Sequence, residues 1–136
     1  MNNSRFPISL HILTLLDQMK GQYVNSDLIA GSININPVLV RKEIINLRKH
    51  GFVESREGKG GGTTLAKKSA DINLADVYLA VKDKSFLGES KNQPNPKCPV
   101  GRQINTHLKD LYQEVEDTLL KSLGNQTLAD FTGKFK

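Results

Sequence analysis

The first fifty residues repeat hydrophobic positions at the spacing of an α-helix. An apolar stripe predicts a first helix over roughly Ser4 to Lys20, and Gly21 ends it. The stripe consists of Ile8, Ile12, Leu15, Leu16 and Met19. A short second helix is predicted from Ser26 to Gly31, with the Ser26 side chain as its cap. The linker 32–35 is then long enough only for a turn.

A third helix is predicted directly after that turn. The pair Asn36-Pro37 combines a capping side chain with a proline in the first helical turn. Val40, Ile44 and Leu47 form its inner stripe, and His50-Gly51 ends it. Two short helices joined by a tight turn predict a helix-turn-helix, although the same spacing also occurs in small helical bundles.

A glycine-rich tip, within the sequence REGKGGGTTL, follows the third helix. Short strand-like segments, Phe52–Arg56 and Thr63–Leu65, flank it and predict a β-hairpin. Glycines at 58 and 60–62 permit positive φ at the turn and close approach of the backbone to another surface. A three-helix unit closed by such a hairpin is a winged helix-turn-helix. A solvated hairpin without a partner is the alternative.

The second half of the chain is predicted to contain three more helices. The fourth runs from Leu74 to Lys82 with Asn73 as its cap, and a polar loop with three prolines occupies 83–99. The fifth begins after Pro99 and continues to about Leu123. A short final helix, Leu128 to Thr132, follows a cap at Gln126-Thr127. The predicted fold class is therefore mainly α with a small β-hairpin.

The fifth helix is too long for the small domain that it would cover. It spans about 24 residues, or about 36 Å. Its apolar stripe is formed by Val100, Ile104, Leu108, Leu111, Val115 and Leu119. Pairing of two copies along this stripe is the favoured interpretation, and folding back over its own core is the alternative. The predicted organisation is a winged helix-turn-helix unit with the fourth helix at 1–83, a loop at 84–99, and a dimerisation helix with the short last helix at 100–136.

The net charge of +5 is confined to one half of the chain. Residues 1–68 contain ten Lys/Arg and five Asp/Glu, whereas residues 69–136 contain nine of each. This asymmetry favours one face that binds a polyanion. No apolar run approaches the roughly 18 residues that span a bilayer, and the amino terminus lacks a secretory cleavage site, so we expect a cytoplasmic protein.

A series of motifs lies at the end of the third helix, in the glycine wing and in the fourth helix. They are Leu47-Arg48-Lys49-His50-Gly51-Phe52-Val53, Arg56, Gly58-Lys59-Gly60-Gly61-Gly62, Leu65-Ala66, Asp71-Ile72-Asn73-Leu74-Ala75-Asp76-Val77-Tyr78 and Ala80-Val81. In these motifs the chain resembles the Rrf-type family of bacterial winged-helix transcription regulators, which includes IscR, NsrR and CymR, and its YwnA-like branch. The sequence NPKCPVG, 95–101, is similar to the YwnA-like branch. The resemblance implies a homodimeric transcription regulator, usually a repressor, that binds a palindromic operator and has no catalytic activity.

The chain departs from the cluster-binding members of that family. Those members have three cysteines after the fourth helix, whereas this chain has Cys98 alone. One thiolate cannot hold an iron–sulfur cluster of the usual four-ligand kind, and His107 does not correct that deficit. We therefore expect no cofactor and no metal.

The helical wheel and the resemblance together predict a set of DNA-contacting residues. The third helix would enter the major groove, with Arg41 suited to guanine and Val38 to a thymine methyl. Lysines, Arg5 and the amides near Ser26 would meet phosphates, and the wing tip would reach the minor groove. The set is Arg5, Ser26, Asn36, Pro37, Val38, Arg41, Lys42, Lys49, Arg56, Lys59, Gly60 and Gly61.

Three rival interpretations start from the same residues. Cys98, at the start of the fifth helix beside Lys97 and Arg102, is a candidate redox or electrophile-sensing thiol, and a packing role at the helix start is the favoured alternative. A winged domain can also bind protein instead of DNA. An enzyme is disfavoured because His11 and His50 have no catalytic companion nearby in the sequence, and the glycines lack the lysine and hydroxyl of a phosphate loop.

Overall fold

A computed structural model describes residues 4–83 and 86–136. Six α-helices and one two-stranded antiparallel hairpin make up the described fold, which confirms the predicted fold class. The elements are α1 Arg5–Gln18, α2 Ser26–Ile33, α3 Pro37–Lys49, β1 Val53–Arg56, β2 Gly62–Leu65, α4 Leu74–Val81, α5 Pro99–Gly124 and α6 Leu128–Thr132. A 3-10 turn, Ser69–Asp71, leads into α4. Within the described residues, no helix combines the length and the apolar character that crossing a membrane requires.

The start and end of α2 differ from the prediction. Asn25, not Ser26, is the cap, because its side-chain oxygen accepts the Leu28 backbone N–H at 2.8 Å. The helix continues to Ile33, so the turn before α3 is shorter than the predicted linker. Asn34 adopts φ 65 there, a left-handed conformation that asparagine tolerates better than most residues.

The boundaries of α3 agree with the prediction. The Asn36 side chain accepts the Val38 N–H at 2.8 Å, and Pro37 is the first helical residue. Gly51, just beyond the helix, has φ 80, which glycine adopts without a steric penalty. Val40, Ile44 and Leu47 are buried as expected.

Three of the four wing glycines have the predicted positive φ, and two of the four pack against the protein's own backbone. Gly58, Gly60 and Gly62 have φ values of 85, 78 and 150. A Cβ on Gly61 would overlap the Arg56 carbonyl oxygen, and one on Gly62 would lie 2.6 Å from the Val24 backbone. The close approach that Gly61 and Gly62 permit is therefore intramolecular.

The core is built around α1, which packs against α2, α3, α4, α6 and β2. Its buried face is shifted from the predicted stripe. Ile12 and Leu16 are buried as predicted, whereas Ile8, Leu15 and Met19 are only half-buried. The other buried residues of α1 are Ser9, Leu10, Leu13 and Thr14. The fully buried side chains include Ile12, Leu13, Leu16, Ile29, Val40, Leu47, Ile72, Val77 and Leu128. Leu128 belongs to α6, so the last helix packs into the core of the N-terminal unit. The predicted domain boundaries stay a prediction.

Helix α5 runs antiparallel to α4 and is attached at two points. Near its end, Asn73 donates to the Gly124 carbonyl oxygen at 2.8 Å, and a β-bridge joins Asn73 to Thr127. About two turns earlier along α5, Lys82 Nζ lies 3.3 Å from Glu116 Oε2. The part of α5 that precedes Glu116 is about 25 Å long and extends past the end of α4.

Within α5, all of whose residues are described, none is buried. The predicted stripe is exposed or half-buried throughout, with 68% of Val100 and 49% of Leu111 accessible. The helix therefore presents an unpartnered apolar face in the single chain.

Candidate nucleic-acid interface

The outer face of α3 combines basic and apolar side chains. Val38, Arg41, Lys42 and Lys49 are all exposed there, opposite the buried stripe. Ile45 lies on the same face and is also exposed, a feature that the sequence reasoning missed. The spacing of these positions, three or four residues apart, places them in one row along the helix.

The start of α2 lies beside this face. Arg41 Nη1 donates to Ser26 Oγ at 3.4 Å, which links the two helices of the helix-turn-helix. Ser26 is the first helical residue, so its amide and that of Asp27 belong to the free N–H groups of a helix start. The structure thus brings Ser26 and Arg41 together.

The wing is joined to the same region through Tyr23 and Glu54, which the sequence did not single out, and through Arg56, which it did. The Arg56 guanidinium lies 4.1 Å from the centre of the Tyr23 ring, within cation–π range. The Tyr23 hydroxyl donates to Glu54 Oε1 at 3.1 Å. These contacts join positions more than thirty residues apart, so no local sequence pattern predicts them.

A β-bridge between Val24 and Thr63 completes the connection. Their backbones exchange two hydrogen bonds of 2.9 Å, so β2 is tied to the segment that leads into α2. The wing, the start of α2 and the outer face of α3 therefore form one continuous surface. Lys59 is exposed at the wing tip, between two glycines of positive φ.

Arg5 lies in an ion pair at the back of α3. Its Nε is 3.1 Å from Glu43 Oε2 and 3.2 Å from Oε1, and the Glu43 side chain is only 7% exposed. A buried carboxylate needs such a partner, because burial of an unpaired charge is costly. The contact holds the start of α1 against α3, which is a structural role for Arg5.

Cys98 caps the start of α5 and is exposed. Its Sγ accepts the Gly101 N–H at 3.4 Å, and its own N–H donates to the Asn95 carbonyl oxygen at 3.2 Å. A Cβ on Gly101 would lie 2.6 Å from that same oxygen, so the motif NPKCPVG builds a tight turn into the helix.

Comparison with known proteins gives one consistent result. Residues 2–134 match the model of the Rrf2 family, described as iron-dependent transcriptional regulators. YwnA of Bacillus subtilis strain 168, named as an HTH-type transcriptional regulator, is 38% identical over 130 residues, which cover 96% of each chain.

Two solved structures share the fold at lower identity. CymR of B. subtilis superposes with a TM-score of 0.74 at 19% identity, over 100% of this chain and 98% of that one. IscR of T. potens has a TM-score of 0.74 at 21% identity, over 100% of this chain and 88% of its own. With the family match over residues 2–134, this chain belongs to the Rrf2 family and is a DNA-binding transcriptional regulator.

Proposed function

We propose that the protein acts as a homodimeric repressor that binds a palindromic operator. The exposed stripe of α5 carries this proposal. An amphipathic helix of 26 residues with no buried side chain needs a partner for its apolar face. Isologous pairing with a second copy supplies an identical face, and two-fold symmetry of the protein then matches two-fold symmetry of the operator.

The length of α5 suits this arrangement. A helix of 26 residues is about 39 Å long, comparable to one turn of B-DNA at about 34–36 Å. In the proposed dimer, two such helices would cross near their stripes and hold the two α3 helices apart. The dimer would then bind half-sites in successive major grooves on one face of the duplex.

Each residue of the interface is given a role by its place on the surface. Arg41, at the amino-terminal half of α3, donates two hydrogen bonds to guanine. Lys42, Lys49 and the amides at the start of α2 bind phosphates. Lys59 enters the minor groove, and Arg56 is held by Tyr23 near its edge. Asn36 and Pro37 fix the start of α3, while Gly60 and Gly61 shape the tip.

Arg5 is left out of this interface. Its guanidinium is occupied by Glu43 on the far side of α3, so a phosphate contact would compete with an ion pair that is largely buried.

The iron dependence in the family description does not extend to the residues of this chain. A cluster of the usual kind needs four ligands, mostly thiolates, and the chain has one cysteine. Within residues 4–83 and 86–136, no three His, Cys, Asp or Glu side chains converge in a way that would hold a metal. Thiol sensing by Cys98 stays a prediction, which intact-mass measurement after mild peroxide would test.

Genomic fragments retained by the purified protein test the proposal directly. We expect a palindromic sequence among them, bound with an affinity that falls steeply as salt is raised. Binding to this duplex should stop transcription from the adjacent promoter in a purified system. Protein that binds no duplex at low salt, while capturing another protein, would instead support an adaptor.

Two substitutions separate the proposed roles. Lys59→Ala should weaken binding to every duplex and reduce the salt slope by about 1, because one phosphate-neutralising charge is lost. Arg41→Ala should relax specificity at one base pair of each half-site by about 1–3 kcal/mol. Lys121→Ala, an exposed lysine on α5, is the matched control and should change neither quantity. Equal effects of all three variants would contradict the docking.

A further inference from the structure

The outer face of α3 exposes more apolar surface than a solvated helix needs. Ile45 is 58% and Val38 is 60% accessible, and neither packs against the core cluster of the described residues. They are seven positions apart, two turns of helix, and therefore lie in one row. Arg41 and Lys42 lie between them on the same face.

Helix stability alone does not account for these two residues. Valine and isoleucine are β-branched, and their restricted side chains make them weaker helix formers than Ala, Leu, Lys or Glu. An exposed position on a helix has no packing to compensate for that loss. Because Ile45 makes no core contact that binding would break, a partner that removed its side chain from water would gain the hydrophobic free energy of burial.

The charge around Ile45 identifies the kind of partner. Arg41 and Lys42 precede it by about one turn, and Arg48 and Lys49 follow it by about one turn. Basic side chains on both sides of an apolar one match the major groove, where phosphates border base edges that carry thymine methyl groups. An apolar protein surface would leave these four charges without partners.

We propose that Ile45 is a specificity-determining residue that reads a thymine methyl group in the major groove of each half-site. The inference rests on the proposed function, since it needs α3 in that groove. Ile45 and Val38 are about 10 Å apart along the helix axis, about three base-pair steps. The operator is therefore expected to carry two methyl-sensitive thymines per half-site, one opposite each side chain.

Replacement of single thymines by deoxyuridine tests this inference, because it removes only the methyl group. The probe is the palindromic duplex retained from the genome, substituted at symmetric positions and titrated with full-length protein by fluorescence anisotropy. At the Ile45 position we expect affinity to fall about fourfold per methyl group, the effect of one buried methyl. Thymines outside the groove that α3 occupies should show no change.

Three variants assign the effect to a side chain. Ile45→Ala should bind the thymine duplex more weakly and lose sensitivity to deoxyuridine at one symmetric pair of positions. Val38→Ala should lose the sensitivity to deoxyuridine at the second symmetric pair of positions and keep the sensitivity at the pair opposite Ile45. Leu79→Ala, which shortens an exposed apolar side chain on α4, is the matched control and should keep both. Circular dichroism melts confirm that each variant folds, which we expect because alanine favours the helix.

The outcomes distinguish this inference from the proposed function. A duplex bound tightly by the wild-type protein, yet insensitive to every deoxyuridine replacement, would overturn the role of Ile45 and leave the regulator intact. Methyl sensitivity that persists unchanged in Ile45→Ala would overturn it as well. Failure of the wild-type protein to bind any duplex would end both proposals.

Discussion

Helices α1 and α5 differ in how far the rest of the chain buries them. Six of the fourteen residues of α1 are buried, and the helix is surrounded by other elements. Helix α5 is nearly twice as long, yet none of its 26 residues, all described, is buried. The N-terminal unit buries its hydrophobic surface within one chain, whereas no described element of the chain buries the apolar stripe of α5. Stability of the first region and assembly through the second should therefore respond to different substitutions.

The largest effect is expected from a charge in the stripe of α5. Leu108→Glu places a carboxylate where the proposed dimer buries an apolar side chain, and symmetry introduces it twice. We expect the dimer to dissociate, with operator affinity reduced more than a hundredfold because each monomer binds one half-site. Sedimentation equilibrium and anisotropy measure the two changes.

Thr106→Glu is the control for that substitution. It adds the same charge at an exposed position away from the stripe, and we expect the dimer to persist. Loss of folding in Leu108→Glu, seen by circular dichroism, would contradict the comparison, because the N-terminal core does not depend on that residue.

The next effect concerns the ion pair that holds α1 against α3. Arg5→Ala leaves Glu43 largely buried without its partner and should reduce the free energy of unfolding by about 2–3 kcal/mol, less than for a fully buried pair because Arg5 is partly accessible. Urea unfolding gives the value. Replacement of both residues by methionine should restore most of the stability, since two apolar side chains need no charge partner.

The same double variant separates stability from DNA contact. If Arg5 has only a structural role, the methionine pair binds the operator with wild-type affinity and an unchanged salt slope. A slope lower by about 1 would instead return Arg5 to the phosphate contacts.

A smaller effect is expected at the wing. Gly61→Ala places a Cβ against the Arg56 carbonyl oxygen and should cost about 1–2 kcal/mol of stability. Gly31→Ala should have the opposite sign, a gain of about 0.5–1 kcal/mol, because no described atom lies within 4 Å of the added group and alanine favours the helix. Thermal unfolding compares the two. Increased stability in both variants would contradict the clash at Gly61 and show that the wing tip can move to accommodate the added group.

The smallest effect is expected where the two regions meet. Burial, together with the neighbouring Glu116 carboxylate, raises the pKa of Tyr78 on α4 to about 12 from its usual value of 10. The folded state thus retains a proton that the unfolded state loses. The resulting stability is complete below about pH 10 and declines as the pH approaches 12. Tyr78→Phe should show a shallower decline in urea unfolding between pH 9.5 and 11.5, and a parallel decline would contradict the assignment.

The sequence predicted those elements whose signals are local. Asn36-Pro37 and Gly51 delimit α3 through their own backbone conformations, and Asn73 and Thr127 cap the helices that follow them. Such signals act within four residues, so periodicity and capping rules suffice to find them. The cap of α2 was assigned wrongly, because Asn25 and Ser26 are adjacent and both residue types can cap a helix.

The candidate interface was predictable only in part. The basic face of α3 followed from its helical wheel, because the buried stripe fixed the opposite side. Ile45 was missed because an apolar residue in a helix is ordinarily assigned to the core, although the helical wheel that places Val38 outward also places Ile45 there.

What the sequence determined by itself was the set of helices and strands, the family and the apolar stripe of α5, since each depends on residues and spacing along the chain. What the tertiary structure decided was which side chains meet across long separations. It paired Arg5 with Glu43, placed Arg56 on Tyr23, and turned Gly61 and Gly62 against the protein's own backbone. These contacts exist only after the core has brought distant segments together, and no periodic pattern in one segment encodes the position of another.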